Sequence, residues 1–180
     1  MAASISSRRP GRDSLRYGPR VTLRLSCLLA ALLLAAPAPA QPLATRRVFL
    51  SGVAYDLEVA ADPATRERGL SGRDAIDARG GMLFIFPDDA PRAFWMRDCK
   101  VDMDLAFLDR SGRVVAAHRM RAEPPRRPGE SEEQYLSRLR RYPSNAPARF
   151  AVELRAGSLS QLGLSVGSLV DVTGIALPTQ

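Results

Sequence analysis

The sequence predicts an α+β fold, mainly antiparallel β, built as a compact single-domain sheet or a partly closed barrel with short peripheral helices. Two observations support this prediction. Short apolar or alternating segments recur along residues 47–175, and turns rich in Gly, Pro, Asp and Ser separate them. Only short stretches have helix signals, and no internal repeat is present.

The predicted strands differ in how much of each face they bury. Tyr55, Leu57 and Val59 alternate with acidic residues, as in a strand with one solvated face. The segment Met82–Phe86 is apolar on both faces, which suits a central strand, and we expect Pro87–Asp89 to end it. The predicted strands are 48–50, 54–60, 82–86, 92–96, 101–108, 114–118, 149–154 and 166–172.

The helices are predicted from their capping residues. Asp62 is the expected N-cap of the first helix, with Pro63 in its first turn. Ser131 and Gln134 form the expected capping box of the second. The predicted helical segments are 62–68, 131–140 and a single turn at 158–162.

The first 40 residues predict a secretory signal peptide. Arginines precede an apolar run from Leu25 to Ala36, and Ala38-Pro39-Ala40 supplies small residues for cleavage. The run is shorter than the ~20 residues of a membrane span; an uncleaved N-terminal anchor is the alternative. We expect an exported protein, periplasmic or extracellular and without a stable membrane span, divided into a signal peptide (1–40), a flexible lead (41–46), a β-rich domain (47–175) and a tail (176–180).

Removal of this leader changes the charge and the cysteine count. The whole chain has a net charge of +7, whereas residues 41–180 hold 20 basic and 18 acidic residues, a net charge of +2. The basic character therefore belongs mostly to the leader, and we expect no nucleic-acid partner. Cys27 leaves with the leader, so Cys99 is left without a disulfide partner; such a thiol is more often buried than reactive.

Several segments, in this order, resemble the DUF192 (UPF0127) family of small domains of unknown function. The resemblance covers about residues 47–173 and implies a compact β-rich fold, often in an exported protein, with no established reaction. Cys99 and Asp102 stand where the family usually has a Thr-like and a Pro-like residue, Ser71 stands where it usually has Met, and Asp104 falls on the family's acidic position. The matching segments are Arg66–Arg73, Gly81–Pro87, Phe94–Met96, Asp104–Phe107, Tyr142–Ser144 and Val152–Gly157.

The stretch FWMRDCKVDMDLAF, residues 94–107, places a thiol close to several carboxylates. Side chains alternate between the two faces of a strand. If the strand extends back to Cys99, the thiol shares a face with Val101, Met103 and Leu105. Asp102 and Asp104 then point to the other face. A direct pairing of the thiol with these carboxylates is therefore not expected, unless the chain bends near Lys100.

The carboxylates of the same stretch have several readings. Asp102 and Asp104, with Asp98, have the oxygen ligands that a hard cation prefers, but a strand lacks the Gly-containing loop of a calcium site. A general acid–base pair is a second reading. In the third, Asp102 faces solvent and Asp104 bonds backbone amides or an arginine, with Arg73 as the candidate. We expect neither a metal nor a cofactor.

The favoured functional reading is a non-enzymatic, monomeric domain that binds a small molecule or a cell-envelope component. Its candidate ligand-binding residues are Arg73, Trp95 and Asp104, because ligand pockets combine apolar walls with a few placed polar groups. Packing of Trp95 in the core is the competing interpretation.

Two alternatives remain open from the sequence. One is a hydrolase or transferase that uses Asp104 with His118 or Cys99. The other is an interaction module in the arginine-rich region 119–141, in which a polyanion or protein partner contacts Arg126, Arg127, Arg140 and Arg141.

Overall fold

The computed structural model describes residues 42–175 and places six strands in one open sheet, in the order β1-β2-β3-β6-β4-β5. Neighbouring strands are antiparallel except β2 and β3, which are parallel. The predicted α+β class is confirmed, and the sheet does not close into a barrel. The strands are β1 (Thr45–Leu50), β2 (Val53–Ala60), β3 (Gly81–Phe94), β4 (Met103–Leu108), β5 (Val114–Met120) and β6 (Tyr142–Arg155); the helices are α1 (Pro63–Arg68), α2 (Glu132–Arg138) and α3 (Ser158–Gln161).

The described residues include the whole of the predicted β-rich domain, residues 47–175. The predicted signal peptide, residues 1–40, and the tail, residues 176–180, lie outside the described residues. Strand β1 begins at Thr45, two residues inside the lead expected at 41–46. Over residues 42–175, no helix has the length and apolar character needed to cross a bilayer.

Strand β3 continues through Pro87–Asp89, where the sequence predicted its end. The register with β6 shifts between Ile85 and Ala90. Because proline lacks the N–H that a regular ladder uses, this irregularity is where the strand accommodates it. The strand then ends at Phe94, so Trp95 lies just after it. The sequence had predicted Trp95 within a strand, at 92–96.

Strand β6 is longer and more central than the sequence predicted. It runs over 14 residues, where only 149–154 were expected, and it pairs with β3 on one side and with β4 on the other. Pro143 and Pro147 lie next to the second register shift, between Pro91 and Ala93 of β3. Its inner part, from Ala148 to Leu154, is buried on both faces.

The closing strand predicted at 166–172 is not formed. This segment instead has one isolated bridge, between Arg113 and Leu169, and backbone hydrogen bonds that join its residues 167–170 to residues 112–114. Gly167 has φ of 92°, a left-handed conformation that interrupts an extended backbone.

Both predicted N-caps are confirmed. The Asp62 carboxylate accepts the amide of Thr65 at 3.0 Å at the start of α1. The capping box of α2 is complete, since the Ser131 hydroxyl accepts the Gln134 amide and the Gln134 side chain accepts the Ser131 amide.

The core has two layers, one on each face of the sheet, and alternation along β4 divides its residues between them. Met103 and Leu105 pack in one layer together with Cys99. Ala106 and Leu108 pack in the other. The predicted grouping of Cys99 with Met103 and Leu105 is therefore confirmed, although β4 itself begins only at Met103.

Candidate functional site

A cleft of about 340 Å³ opens beside the C-terminal end of α1, and we call it the Glu153 cleft. One wall is aromatic, the inner end carries a carboxyl group and a thiol, and three arginines also line the cleft. Its lining residues are Arg66, Glu67, Arg68, Gly69, Leu70, Ser71, Phe86, Ala93, Phe94, Trp95, Cys99, Arg141 and Glu153.

Glu153 is a buried acid in an otherwise apolar layer of the central strand. It pairs across the sheet with Met82 on one side and Leu105 on the other, and it is only 5% exposed. Its Oε2 atom has no hydrogen-bond partner. An unpaired buried polar atom costs about 1–3 kcal/mol, so its presence at the inner end of a cleft points to a role beyond packing.

Burial determines the protonation of Glu153. Desolvation raises the pKa of its carboxyl group to about 8, opposed in part by a hydrogen bond from the backbone amide of Leu70. A carboxyl group with this pKa is mostly protonated at neutral pH, and it then acts as a hydrogen-bond donor as well as an acceptor.

The end of α1 reaches this carboxyl group because residue 69 is a glycine. Gly69 has φ of 53° and follows the last turn of the helix, where its amide donates to the Thr65 carbonyl. A Cβ atom at this position would lie 3.3 Å from Oε2 of Glu153 and 3.4 Å from the ring of Phe84. Glycine therefore permits both the backbone conformation and the close approach.

Cys99 lies at the same inner end and is a buried free thiol, the more common of the two cases that the sequence left open. Its Sγ atom is 3.5 Å from the Arg97 carbonyl and 3.9 Å from the Ser71 hydroxyl. Burial, and then the charge of Glu153, raise the pKa of the thiol to about 11. A nucleophilic cysteine needs the opposite shift.

The aromatic wall is held rigidly by packing. The ring of Phe94 meets those of Phe84 and Phe107 edge to face, with centroids 4.8 and 5.2 Å apart. Trp95 is half-buried, and the guanidinium of Arg141 lies over its ring, 3.7 Å from the centroid. Trp95 thus lines the cleft with Arg141 stacked on it.

The arginines of the cleft have few acidic partners. Glu67 pairs with Arg97, outside the cleft, at 3.4 Å. Arg66 donates to the backbone carbonyls of Ala61 and Ile85. Within residues 42–175, no carboxylate lies in ion-pair distance of the three guanidinium groups that line the cleft, those of Arg66, Arg68 and Arg141.

Asp104 lies on the opposite face of the sheet and caps a helix. It is 4% exposed, and its Oδ2 accepts the backbone amide of Leu159 at 2.9 Å, in the first turn of α3. The reading in which Asp104 bonds backbone amides is therefore confirmed. Gly157, the N-cap residue of α3, has no side chain to offer, so Asp104 supplies this cap from β4.

Arg73 is not the partner of Asp104. It pairs instead with Glu58, at 2.6 Å, and lines a separate cleft beside Ile76. Asp104 lines a third cleft, with His118 and Leu159. The structure therefore does not bring Arg73, Trp95 and Asp104 together, because Asp104 and Trp95 belong to opposite faces of the sheet.

The residues of the enzyme alternative form no hydrogen bond with one another in the part of the chain that the structure describes, although Asp104 and His118 line the same cleft. The Nε2 atom of His118 is 2.8 Å from the Pro143 carbonyl, and its ring packs against Phe107. Asp104 is on the face opposite Cys99. Asp102 accepts the amide of Ala122 at 2.9 Å. Across the described part of the chain, no three His, Cys, Asp or Glu side chains cluster in a way that could hold a metal ion.

The arginine-rich region is held mainly by internal contacts. Arg126 lies 3.4 Å from Glu132, and Arg140 stacks on Tyr142, 5.1 Å from the centroid. The backbone amide of Arg127 donates to Glu130. Of the four arginines singled out from the sequence, only Arg141 lines the Glu153 cleft.

Sequence reasoning missed Glu153, the residue at the centre of this site. The alternation of Phe150, Val152 and Leu154 indicates one inward face, so Glu153 falls on the face expected to meet solvent. A second layer of the core covers that face. The only sequence signal is its position within the Val152–Gly157 segment of the family resemblance.

Comparison with known proteins gives a family and a fold. The crystal structure of a Sinorhizobium meliloti protein, provisionally described as a transcription regulator, superimposes with a TM-score of 0.59 and 30% sequence identity. The match covers 74% of this chain and 97% of that protein. A Novosphingobium aromaticivorans protein of unknown function is 22% identical, with a TM-score of 0.58 over 76% of this chain and 89% of its own. No curated protein sequence matches significantly. The model of DUF192, described as "Uncharacterized ACR", matches residues 46–172, so the chain belongs to the DUF192 family.

Proposed function

We propose that this protein is an exported, non-enzymatic binding domain that holds a small organic molecule in the Glu153 cleft. Of the residues singled out from the sequence, Trp95 is part of this site. The proposal replaces Arg73 and Asp104 with Glu153 as the polar group that orients the ligand.

One observation carries the proposal: the Oε2 atom of Glu153 is buried without a hydrogen-bond partner at the inner end of a cleft. Native proteins pair nearly all their buried polar atoms, so an exception needs an explanation. A ligand group at this position would give Oε2 its missing partner.

The size and composition of the cleft also support a small ligand. Its volume of about 340 Å³ lies at the lower end of the ~300–1,000 Å³ range of ligand pockets. Phe94 and Trp95 offer flat apolar surface, and Glu153 and Ser71 offer placed polar groups. This combination of apolar walls with few polar groups is typical of specific small-molecule sites.

Two other functions have less support. Catalysis by Cys99 is disfavoured because the pKa of the thiol is raised to about 11, which leaves almost no thiolate at neutral pH. The description of the Sinorhizobium meliloti protein suggests DNA recognition. The helices α1, α2 and α3 have only six, seven and four residues, which is short for an element that reads a major groove.

Export rests on the leader of the sequence. A basic region, a short apolar run and the Ala38-Pro39-Ala40 site support cleavage before Gln41. Mass spectrometry of the protein from a periplasmic fraction should give Gln41 as the N-terminal residue. Recovery of the chain with its leader intact would contradict the proposal of cleavage.

A thermal-shift screen of small molecules tests the binding function. A molecule that binds only the native state must raise the Tm. Ala93 is exposed and lines the cleft, so Ala93→Phe should fill its mouth and remove the shift. Ala122, an exposed alanine that lines none of the clefts described above, gives the matched control, and Ala122→Phe should leave the shift unchanged. Equal shifts in both variants would place the ligand elsewhere.

A further inference from the structure

The charges around the Glu153 cleft define the class of its ligand more narrowly. Arg66, Arg68 and Arg141 line it without carboxylate partners among residues 42–175, and the one acid on α1, Glu67, is paired with Arg97. The cleft therefore keeps an excess of positive charge, with three arginines against Glu67 and the buried Glu153. An excess of one sign of charge in a cleft concentrates ligands of the opposite sign.

We propose that the Glu153 cleft binds an organic anion, whose apolar body lies against Phe94 and Trp95 and whose charged group meets the arginines. This inference rests on the proposed binding function and deepens it. The ligand class comprises small carboxylates and phosphate monoesters with an apolar part, for which guanidinium groups are the favoured partners.

Glu153 favours the same class of ligand. Its pKa of about 8 leaves the carboxyl group mostly neutral at pH 7, so it adds no charge that would repel an anion. In this form Oε2 offers a hydrogen bond to an acceptor atom of the ligand. A cationic amine would instead have to pass three arginines to reach a carboxyl group that is protonated.

This arrangement makes the affinity for an anion depend on pH, and the affinity should fall as the pH rises. As the pH rises through about 8, Glu153 loses its proton, so it loses the donor and gains a negative charge beside the ligand. An anion should therefore bind more weakly at high pH, and an amine more tightly. If binding requires protonated Glu153, the apparent Kd at about pH 9.5 is about 30-fold higher than at about pH 6.5.

The other ionisable groups of the cleft do not reproduce this change. They are Arg66, Glu67 and Arg68 from α1, with Cys99 and Arg141 from the segments beside β3 and β6. The pKa of Cys99 is raised to about 11, above the range of the measurement. Guanidinium groups and ordinary carboxylates keep their charges between about pH 6.5 and about pH 9.5.

The fluorescence of Trp95 reports ligand binding directly, because Trp95 is the one tryptophan of the chain and it lines the cleft. The probes are phenylpropanoate and octanoate, phenylpropyl phosphate as the phosphate arm, and the matched uncharged and cationic molecules phenylpropanol and phenylpropylamine. At about pH 6.5 we expect at least one anion to change the Trp95 fluorescence with a Kd at least about 10-fold lower than those of the alcohol and the amine.

Substitutions test the two polar partners separately. Glu153→Gln keeps the shape and removes the titration, so anion binding should persist and lose its pH dependence between about pH 6.5 and about pH 9.5. Arg68→Gln should raise the Kd of the anion by about 2-fold to 5-fold, because it removes an exposed ionic contact. Arg119→Gln, an exposed arginine outside the cleft, is the matched control and should have no effect.

The outcomes separate this inference from the binding function itself. Preference for phenylpropanol or phenylpropylamine, or an affinity that rises with pH, would overturn the anion assignment and leave a ligand-binding cleft. No response of Trp95 to any probe would overturn the anion assignment, while a ligand found in the thermal-shift screen and blocked by Ala93→Phe would still support the binding function.

Discussion

The backbone of Gly69 lies directly against the carboxyl group of Glu153: a Cβ atom added at Gly69 would be 3.3 Å from Oε2. The contact joins the end of α1 to the central strand β6. It also fixes one wall of the Glu153 cleft, since Gly69 and Glu153 both line it. The stability of the domain and the shape of its proposed site therefore depend on the same pair of residues.

Replacement of Gly69 should reduce the stability of the domain more than replacement of the nearby Gly72. Gly69→Ala introduces both a strained positive φ and a crowded Cβ, whereas Gly72→Ala introduces only the strained φ, because no atom lies within 4 Å of its added Cβ. Left-handed backbone costs a non-glycine residue about 1–2 kcal/mol. We expect Gly69→Ala to lower the free energy of unfolding by about 1–2 kcal/mol more than Gly72→Ala in urea denaturation. Equal losses would contradict the close approach.

Glu153 should make the stability of the domain fall as the pH rises. Its carboxyl group has a pKa of about 8 in the folded chain and an ordinary value near 4.5 when unfolded. Below about pH 4.5 it is protonated in both states. Between the two values the unfolded state loses its proton first, so the free energy of unfolding decreases by up to about 1.4 kcal/mol per pH unit.

The Glu153→Gln variant isolates this effect from all other titrations. The difference in free energy of unfolding between the native protein and the variant should shift steadily in favour of the variant from about pH 5 to about pH 8, then level off. Urea denaturation at each pH measures it. A difference that stays constant across this range would show that Glu153 is ionised in the folded protein.

Asp104 should act as a structural cap and not as a ligand-binding residue. Asp104→Ala leaves the Leu159 amide of α3 without its acceptor, and we expect a loss of about 1–3 kcal/mol in the free energy of unfolding. The more exposed Asp102, which accepts a single amide in a loop, is the matched control, and Asp102→Ala should cost less than about 1 kcal/mol. Neither should change the response to a ligand of the Glu153 cleft; abolition of that response by Asp104→Ala alone would restore Asp104 to the site.

Cys99 should react slowly with thiol reagents while the domain is folded. It is 8% exposed, and the pKa of its thiol is raised to about 11, so both access and thiolate fraction are low. We expect the native protein to react at least about 100-fold more slowly than the urea-unfolded protein at the same pH. Similar rates in the two states would mean that the thiol is accessible and its pKa is not raised.

Local sequence patterns predicted much of the fold. The capping residues Asp62 and Ser131 begin the helices that they predicted. Alternation correctly placed Asp104 on the face opposite Met103 and Leu105, because the period of two is a property of any extended strand. Cys99 joins the layer of Met103 and Leu105 from the loop before β4. The predicted ends of β3 were wrong because this strand contains a proline, Pro87, and a register shift depends on the partner strand and not on local sequence. The strand predicted at 166–172 was wrong for another reason, the left-handed backbone of Gly167.

The site was harder to predict because it depends on which strands become neighbours. The sequence of β6 indicates one buried face, and only the sheet order, which places β6 between β3 and β4, shows that Glu153 is buried as well. Trp95 was identified because ligand pockets usually have apolar walls, to which a large aromatic side chain can contribute. Arg73 and Asp104 were grouped with it only by residue type, and their partners, Glu58 and the Leu159 amide, come from distant parts of the chain.

Chemical-shift mapping by NMR tests the central claim most directly, that the Glu153 cleft is the ligand site. A ligand from the thermal-shift screen should perturb the backbone amides of Gly69 and Leu70 and the indole N–H of Trp95, all of which belong to residues that line the cleft. The amide of Leu159, on the opposite face of the sheet, should stay unchanged. Perturbation of Leu159 without any change at Gly69, Leu70 and Trp95 would contradict the account.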